Sequence, residues 1–436
     1  MTTPEEIVRN VGAPVDDGPS IYFEPKRGLK ARTLADAVTK AGPLAEGIDG
    51  RLWAYEDGVY RPAKHVVRDR AAHLLGERFR NTHAANAESL VRATAPKIAC
   101  GPLSEIVNFR NGLYVWKTGQ TVPHGPAVMS TVQLGADWDE TAQCPEFDAF
   151  LAEVLPEDMI DMAWELIGYL MHSGNPLHKA VMLKGTGRNG KGTFLRVMNA
   201  LLGEENVTAV TLADMVGDRF VIAQLLGKIA NIAGDIDNTY LETTARFKAI
   251  TGEDLVSAEH KYGDRFDFTP WAVPVFSANK IPGSADVTTG YLARWVVIDF
   301  PYDFTGREQR GLSDRLTTKA ELSGIAAKAM PALRRLMERG DFELPKSAVD
   351  ALDDFRRKVD QVRTWIDECA ELAPEHGAHI NRTHLYACYK AWATRDGHKA
   401  VKASEFYERL ESAGAKHAKI HGVRGFSGIK VIDPAG

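Results

Sequence analysis

The segment Gly185-Thr186-Gly187-Arg188-Asn189-Gly190-Lys191-Gly192-Thr193 is the part of this chain best equipped for chemistry. Its glycines let successive backbone N–H groups turn inward on a phosphate. Lys191 can reach the β- and γ-oxygens, and the helix expected from TFLRVMNALLG brings its positive N-terminal end to the same anion. The apolar run at residues 180–183 reads as a strand, which sets the loop between strand and helix. The usual pattern places a hydroxyl residue directly after the lysine to bind Mg²⁺; here Gly192 occupies that position and Thr193 follows one residue late. ATP and Mg²⁺ are the expected ligands, with residues 185–193 as the cradle and Thr193 as a metal ligand. A phosphate loop alone establishes nucleoside triphosphate binding and nothing more specific.

Four features downstream narrow the chemistry. Residues 229–233 read as a buried strand ending next to Asp235, where a carboxylate can hold the Mg²⁺ shell and polarise an attacking water. Asp237 lies two residues on, and Glu242 is a further candidate. The stretch DLVSAEHKYGDRFDF reads as a hairpin with His260, Lys261 and Tyr262 at or beside its tip, a cation and an aromatic suited to a phosphate and a sugar or base. WAVPVFSANK is an apolar strand ending at Asn279, whose amide can sense a γ-phosphate, although Pro274 is awkward inside a central strand. Arg294 precedes one more apolar strand and can stabilise transition-state charge at a neighbouring subunit's nucleotide. Each has a plainer reading: an acidic turn, an exposed polar turn, or a surface ion pair.

These residues need elements to position them. Strand and helix signals alternate from the phosphate loop to about residue 304, as an α/β sheet domain requires. The fold expected is α/β, an AAA+-type P-loop NTPase core (151–345), with an α+β N-terminal region (1–150) and a C-terminal winged-helix domain (346–436). In the N-terminal region LADAVTKAGPLAEG reads as helical, RLWAYEDGVYRP as a hairpin turning at Glu56-Asp57-Gly58, and residues 106–125 as β-rich. Ser347 and Ser404 are the expected caps of two tail helices. In the tail, SEFYERLESAG is the candidate recognition helix and KIHGVRGFSGIKV the wing. Lys402, Lys416, Lys419 and Arg424 are its candidate phosphate contacts. The plainer reading of this tail is a helical module for protein contacts.

Composition sets outer bounds. The 436 residues are 44% hydrophobic and 25% charged, as in ordinary globular proteins. No uncharged apolar stretch is long enough to span a membrane, the N-terminus lacks the pattern of a signal peptide, and four scattered cysteines form no metal-binding spacing. A cytoplasmic location follows as an expectation. The net charge of −5 argues against a general nucleic-acid coat. Residues 399–430 nevertheless hold seven Lys/Arg against three Glu, so a local contact surface is available.

Taken together, phosphate loop, Asp-ended strand, Lys-tipped hairpin, Asn-ended strand and arginine resemble a superfamily 3 helicase core. GTGRNGKGTFL, FKAITGEDLVSAEHKY and FSANKIPG resemble the helicase half of phage and plasmid primase–helicases of the poxvirus type, and the likeness extends upstream through NFRNGLYVWKTGQTVPHGP. That resemblance implies that Lys191 is the phosphate-loop lysine, Asp235 the main metal-site acid, Lys261 the DNA-contacting hairpin residue, Asn279 the sensor and Arg294 the arginine finger. It also implies an ATP-dependent ring, a hexamer, moving 3′ to 5′ on single-stranded or forked DNA in a bacterial host's cytoplasm. A separate primase or other replication protein would be its partner, since the segment before residue 100 shows no primase-like carboxylate cluster. Family members often carry a hydroxyl where Gly192 stands, and paired arginines where this chain has Arg294-Trp295. Two rival readings are an origin-binding initiator ATPase that melts or loads DNA, and a P-loop nucleotide kinase suggested by Gly-Lys-Gly-Thr.

Overall fold

The computed structural model describes residues 19–236, 239–261, 263–372, 379–396, 400–420 and 422–432. It is a mixed α/β protein built around one parallel sheet.

The described residues begin with a 3-10 turn (Pro19–Tyr22) and a short antiparallel pairing of Phe23–Glu24 with Gly28–Leu29, followed by helix α1 (Ala31–Lys40) and strands β1 (Leu44–Gly47), β2 (Leu52–Glu56) and β3 (Val59–Pro62). Helices α2 (Val66–Leu75) and α3 (Asn81–Thr94) follow, then the short strand β4 (Lys97–Ile98), giving a four-stranded sheet of order β3-β2-β1-β4. Leu34, Val38, Leu52, Val67, Leu75 and Val91 close a local apolar core between these elements. The expected hairpin turn is present, with Asp57 and Gly58 both at positive φ as a tight right-twisting turn requires. The expected helical run over LADAVTKAGPLAEG is shorter than its periodicity suggests. Gly42-Pro43 stops α1, and the residues after it extend as β1. A meander of β5 (Ile106–Phe109), β6 (Gly112–Val115) and β7 (Gln120–Val122) then leads to helices α4 (Pro145–Val154) and α5 (Ile160–Met171). Residues 162–171 of α5 are all buried, so this helix is core on every side.

Five parallel strands form the central sheet: β8 (Ala180–Lys184), β9 (Val207–Thr208), β10 (Ala230–Ala233), β13 (Val273–Ala278) and β14 (Trp295–Asp299). Strands β11 (Val256–Glu259) and β12 (Arg265–Phe268) are the two arms of a separate antiparallel hairpin inserted before β13. The sheet order is β9-β10-β13-β8-β14. All parallel strands point their C-terminal ends to one rim, which is where ligands of such sheets bind. Helix α6 (Lys191–Leu202) leaves that rim directly after β8.

Pro274 fits because of where its missing donor falls. Val273 donates to the Ile229 carbonyl on the β10 side, so residue 274 faces β8, whose pairing begins one residue later at Val181–Val275. The Lys179 carbonyl on that side accepts instead from Asn175 Nδ2 at 2.9 Å. Buried Asn231 in β10 is likewise satisfied, bonding the Val210 backbone in both directions.

Helices α7 (Ala245–Thr251), α8 (Lys319–Arg339) and α9 (Lys346–Val359) cover the sheet or its edges. The tail contains α10 (Gln361–Cys369), β15 (Ala370–Leu372), β16 (His379–Asn381), α11 (Arg382–Arg395), α12 (Ala403–Ser412), β17 (Lys416–Ile420), β18 (Val423–Ser427) and β19 (Ile429–Val431). Three of these strands form a sheet of order β16-β18-β17 against an aromatic core of Trp365, Tyr389, Trp392 and Phe406. Neither expected serine cap holds. Helix α9 already begins at Lys346, and the Ser347 N–H bonds the Asp158 carboxylate at 3.0 Å. Helix α12 begins at Ala403, which puts Ser404 inside its first turn. Asp360 and Asn381 cap α10 and α11 instead.

Candidate functional site

The glycine-rich loop expected to hold phosphate runs from the end of β8 to the start of α6. Gly187 and Gly190 take positive φ values of 104° and 93°, which only glycine adopts readily. Gly190 is required twice over, since a Cβ there would lie 2.7 Å from Val154. Lys191 is 4% exposed, and its ammonium donates to Gly185 O (2.8 Å), Asn189 Oδ1 (3.1 Å) and Asn279 Oδ1 (3.2 Å). Burial draws its pKa below the ordinary lysine value, against the pull of Asp235 and Asp299. Asn189 also donates to the Phe300 carbonyl at 3.1 Å, fixing the loop to the chain beyond β14. Arg188 reaches outward to Glu308 at 3.0 Å. Gly185 and Thr186 open the loop, and Gly192 and Thr193 begin α6. Gly192 is exposed and a Cβ on it would meet nothing, while Thr193 is partly buried.

Strand β13, between β10 and β8, delivers Asn279 to this loop. Asp235 follows β10 and Gly234 with its own backbone at φ 44° and its carboxylate exposed. Lys191, Asn279 and Asp235 therefore share the C-terminal rim. Asp237 lies outside the described residues, and Glu242 is exposed beyond the rim. Sequence reasoning missed Lys184 and Asp299, which end neighbouring strands and pair at 3.3 Å, and Asp354 of α9, which pairs with Lys184 at 2.5 Å. The signal was present: Asp299 ends an apolar strand as plainly as Asp235 follows one. Beside the loop, a pocket of about 360 Å³ is lined by Phe150, Val154, Arg188, Thr193, Phe304 and Leu312.

Arg294 sits at the other end of the sheet, before β14, where its carbonyl accepts from Ala180 N. Its guanidinium donates to the Gly290 and Lys248 carbonyls at 3.3 Å each. Among the described residues no carboxylate pairs with it, and its Nε is buried without a partner. The Lys248 ammonium is held by Asp286 at 2.8 Å. Burial alone would raise the Asp286 pKa, but hydrogen bonds from Lys248, Thr244 and Thr288 hold it well below the carboxylate range.

At the hairpin, His260 bonds the buried Asp49 carboxylate of the N-terminal region at 3.2 Å. Lys261 is exposed at the tip, and Tyr262 lies outside the described residues. In the tail, Lys402, Lys416, Lys419 and Arg424 are all exposed. Strand alternation divides them: Lys419 and Arg424 are cross-strand partners on the face of His417 and Phe426, whereas Lys416 points to the opposite face. Helix α12 presents Glu408 and Glu411 outward, and its Arg409 is turned inward to Asp360, Glu405 and the Ala285 carbonyl.

Two family models match the chain. The one described as D5 N terminal like matches residues 23–156, and a family of unknown function, DUF5906, matches residues 183–294. Among solved structures, the A-form apo structure of the NrS-1 C-terminal region is 11% identical over 91% of this chain and 98% of that one, with a TM-score of 0.49. A JCV helicase structure is 16% identical over 51% of this chain and 64% of that one, with a TM-score of 0.28. No helix among the described residues is long and apolar enough to cross a membrane.

Proposed function

We propose that the chain is a member of the phage-type superfamily 3 primase–helicase family and an ATP-dependent DNA helicase acting as a ring, a hexamer, in replication; the matches to a D5 N terminal like model and to DUF5906 support the family. One observation carries the reading: a buried lysine at a helix N-terminus, bonded to the strand-end amide of Asn279 and flanked by the carboxylate of Asp235. A sheet with the sensor strand between the acid strand and the phosphate-loop strand supports an AAA+-type core. The γ-phosphate would meet Lys191, the loop amides and Asn279 together. Mg²⁺ needs only one or two protein oxygens beside phosphates and waters, and Asp235 with Thr193 would hold it. When bound, the ion neutralises developing phosphate charge. The pocket beside Phe304 is apolar on one wall and would take the nucleoside.

A distance supports the ring. Arg294 and Lys184 lie at opposite ends of paired strands β14 and β8, five residues each, or about 16 Å. No arginine spans that gap to its own phosphate loop. Its charge, oriented by neutral carbonyls, suits a nucleotide on the next subunit. Single-stranded or forked DNA would be gripped by the Lys261 hairpin. The tail would dock DNA as a winged helix through its β17–β18 wing, since the outward face of α12 is acidic. The bacterial host's cytoplasm is the place such work would occur.

The test is strand displacement on a forked duplex. ATP should drive release of one strand and a non-hydrolysable analogue should not. DNA-stimulated hydrolysis with no displacement would favour an initiator ATPase, and hydrolysis indifferent to DNA would favour a kinase-like enzyme.

A further inference from the structure

A cavity of about 1170 Å³ opens where the β2–β3 hairpin, the edge of the central sheet near β9 and the tip of the β11–β12 hairpin meet. It exceeds the roughly 300–1,000 Å³ that enclose a small ligand. Lys228 stands in its wall. The ammonium donates to the Glu205 carbonyl, and no carboxylate pairs with it among the described residues. Burial, with the neighbouring Arg61 charge, draws the Lys228 pKa below the ordinary lysine value. Arg61 is itself partly desolvated, though it is paired with Glu205 at 3.0 Å.

Two further groups point to a ligand. Thr131 is one of the lining residues, only 4% exposed, and its buried hydroxyl has no hydrogen-bond partner. Such a group normally finds one. Phe220 stands on the wall with 43% of its surface open, on the short helix Arg219–Ile222. A cation without a carboxylate and an exposed aromatic ring in the wall of one cavity are what a single strand of nucleic acid uses, phosphate on cation and base on ring.

We propose that this cavity binds a segment of single-stranded nucleic acid, with Lys228 on a backbone phosphate and Phe220 stacked on a base. The inference rests on the reading of the hairpin as a DNA grip, because Lys261 is among the residues that line the cavity. It makes the N-terminal sheet part of the track: Trp53, Val59 and Arg61 line the same space.

The experiment measures binding of fluorescent oligo(dT) by anisotropy across a salt series, for the unaltered chain, Phe220→Ala, Lys228→Gln and Lys261→Ala. Phe220→Ala should weaken binding by about fivefold or more, as loss of one stacked base does. Lys228→Gln should lower the slope of log affinity against log salt by roughly 0.7. In the unaltered chain, oligo(dT) should protect Lys228 from acetylation and thymidine monophosphate should not. This arm needs no variant to fold. Unchanged affinity and slope in both slot variants, or Lys228 acetylated equally with and without oligo(dT), overturns the proposal. Equal protection by the mononucleotide overturns it in favour of a small-molecule site. The Lys261→Ala arm reports separately: loss there alone removes the slot and leaves the hairpin grip, and loss in none of the three removes both.

Discussion

The two rims of the central sheet each orient a cation with neutral oxygens, yet they are not equally complete. At the C-terminal rim, Lys191 is surrounded by loop backbone, by Asn189 and Asn279, and by the charges of Asp235 and Asp299. At the N-terminal rim, Arg294 has two backbone carbonyls and a buried, unpartnered Nε. The atoms hydrogen-bonded to each cation are neutral and fix its direction without cancelling its charge. At the first rim Asp235 and Asp299 offset part of that charge, and at the second no carboxylate among the described residues pairs with Arg294. On the proposed reading, the first would meet a triphosphate with a cation, loop amides and a carboxylate. The second offers only the arginine, which is half a site.

The largest effects should come from the complete rim. Lys191→Ala removes the cation at the centre of the cradle, and phosphate release should fall to background. Asp235→Asn keeps the shape of the side chain but not its charge, so nucleotide should still bind while most turnover disappears. Equilibrium binding of a fluorescent nucleotide beside a phosphate-release assay separates the two. A near-normal rate in Asp235→Asn would transfer the role to Asp237 or Glu242.

The half site predicts a different pattern. Arg294→Ala should bind ATP normally and lose hydrolysis by about a thousandfold or more, the usual worth of a finger arginine. Mixing Arg294→Ala with Lys191→Ala subunits should restore part of the rate, at interfaces joining an intact loop to an intact arginine. Verified mixed rings with no recovery would show that Arg294 serves its own chain as a structural residue.

A smaller effect is expected within the loop itself. A side chain at Gly192 would enter open space, so Gly192→Ser can add the hydroxyl that the position usually carries. Ser is also better than Gly in a helix by about 0.5 kcal/mol. Thermal melting should show a small gain, and half-maximal hydrolysis should need less Mg²⁺. An unchanged Mg²⁺ requirement would mean that Thr193 already fills the role.

The rims also differ in how far they can be read from sequence. The C-terminal rim was legible because local spacing encodes it: a loop nine residues long fixes its own backbone, and strand ends announce Asp235 and Asn279. Lys184, Asp299 and Asp354 were not foreseen because their pairing depends on which strands and helices become neighbours. Arg294 could be named from its place before a strand, but its unpaired state depends on Lys248 and Gly290, which only the fold brings near. The helical reading of LADAVTKAGPLAEG failed at Gly42-Pro43, where backbone chemistry overrode apolar periodicity. The slot around Lys228 was invisible, since its walls come from residues 51–62, 131–133, 205–228 and 260–261.

The smallest expected effect tests whether the tail follows the same logic of cations kept without carboxylates. Lys419 and Arg424 face each other across β17 and β18, and neither has an ion-pair partner among the described residues. Like charges in that position cost stability, on the order of 0.2–1 kcal/mol. Lys419→Ala should therefore raise the melting temperature of the tail slightly while weakening DNA binding. The slope of log affinity against log salt for duplex DNA should fall by about 0.9, one phosphate contact. Lys416→Ala is the matched control, because its side chain leaves the other face of the same strand. Equal slopes for the two variants would mean that the tail does not dock by the Lys419–Arg424 face. A gain in stability with no change in slope would make the facing cations a cost with no DNA function to offset it.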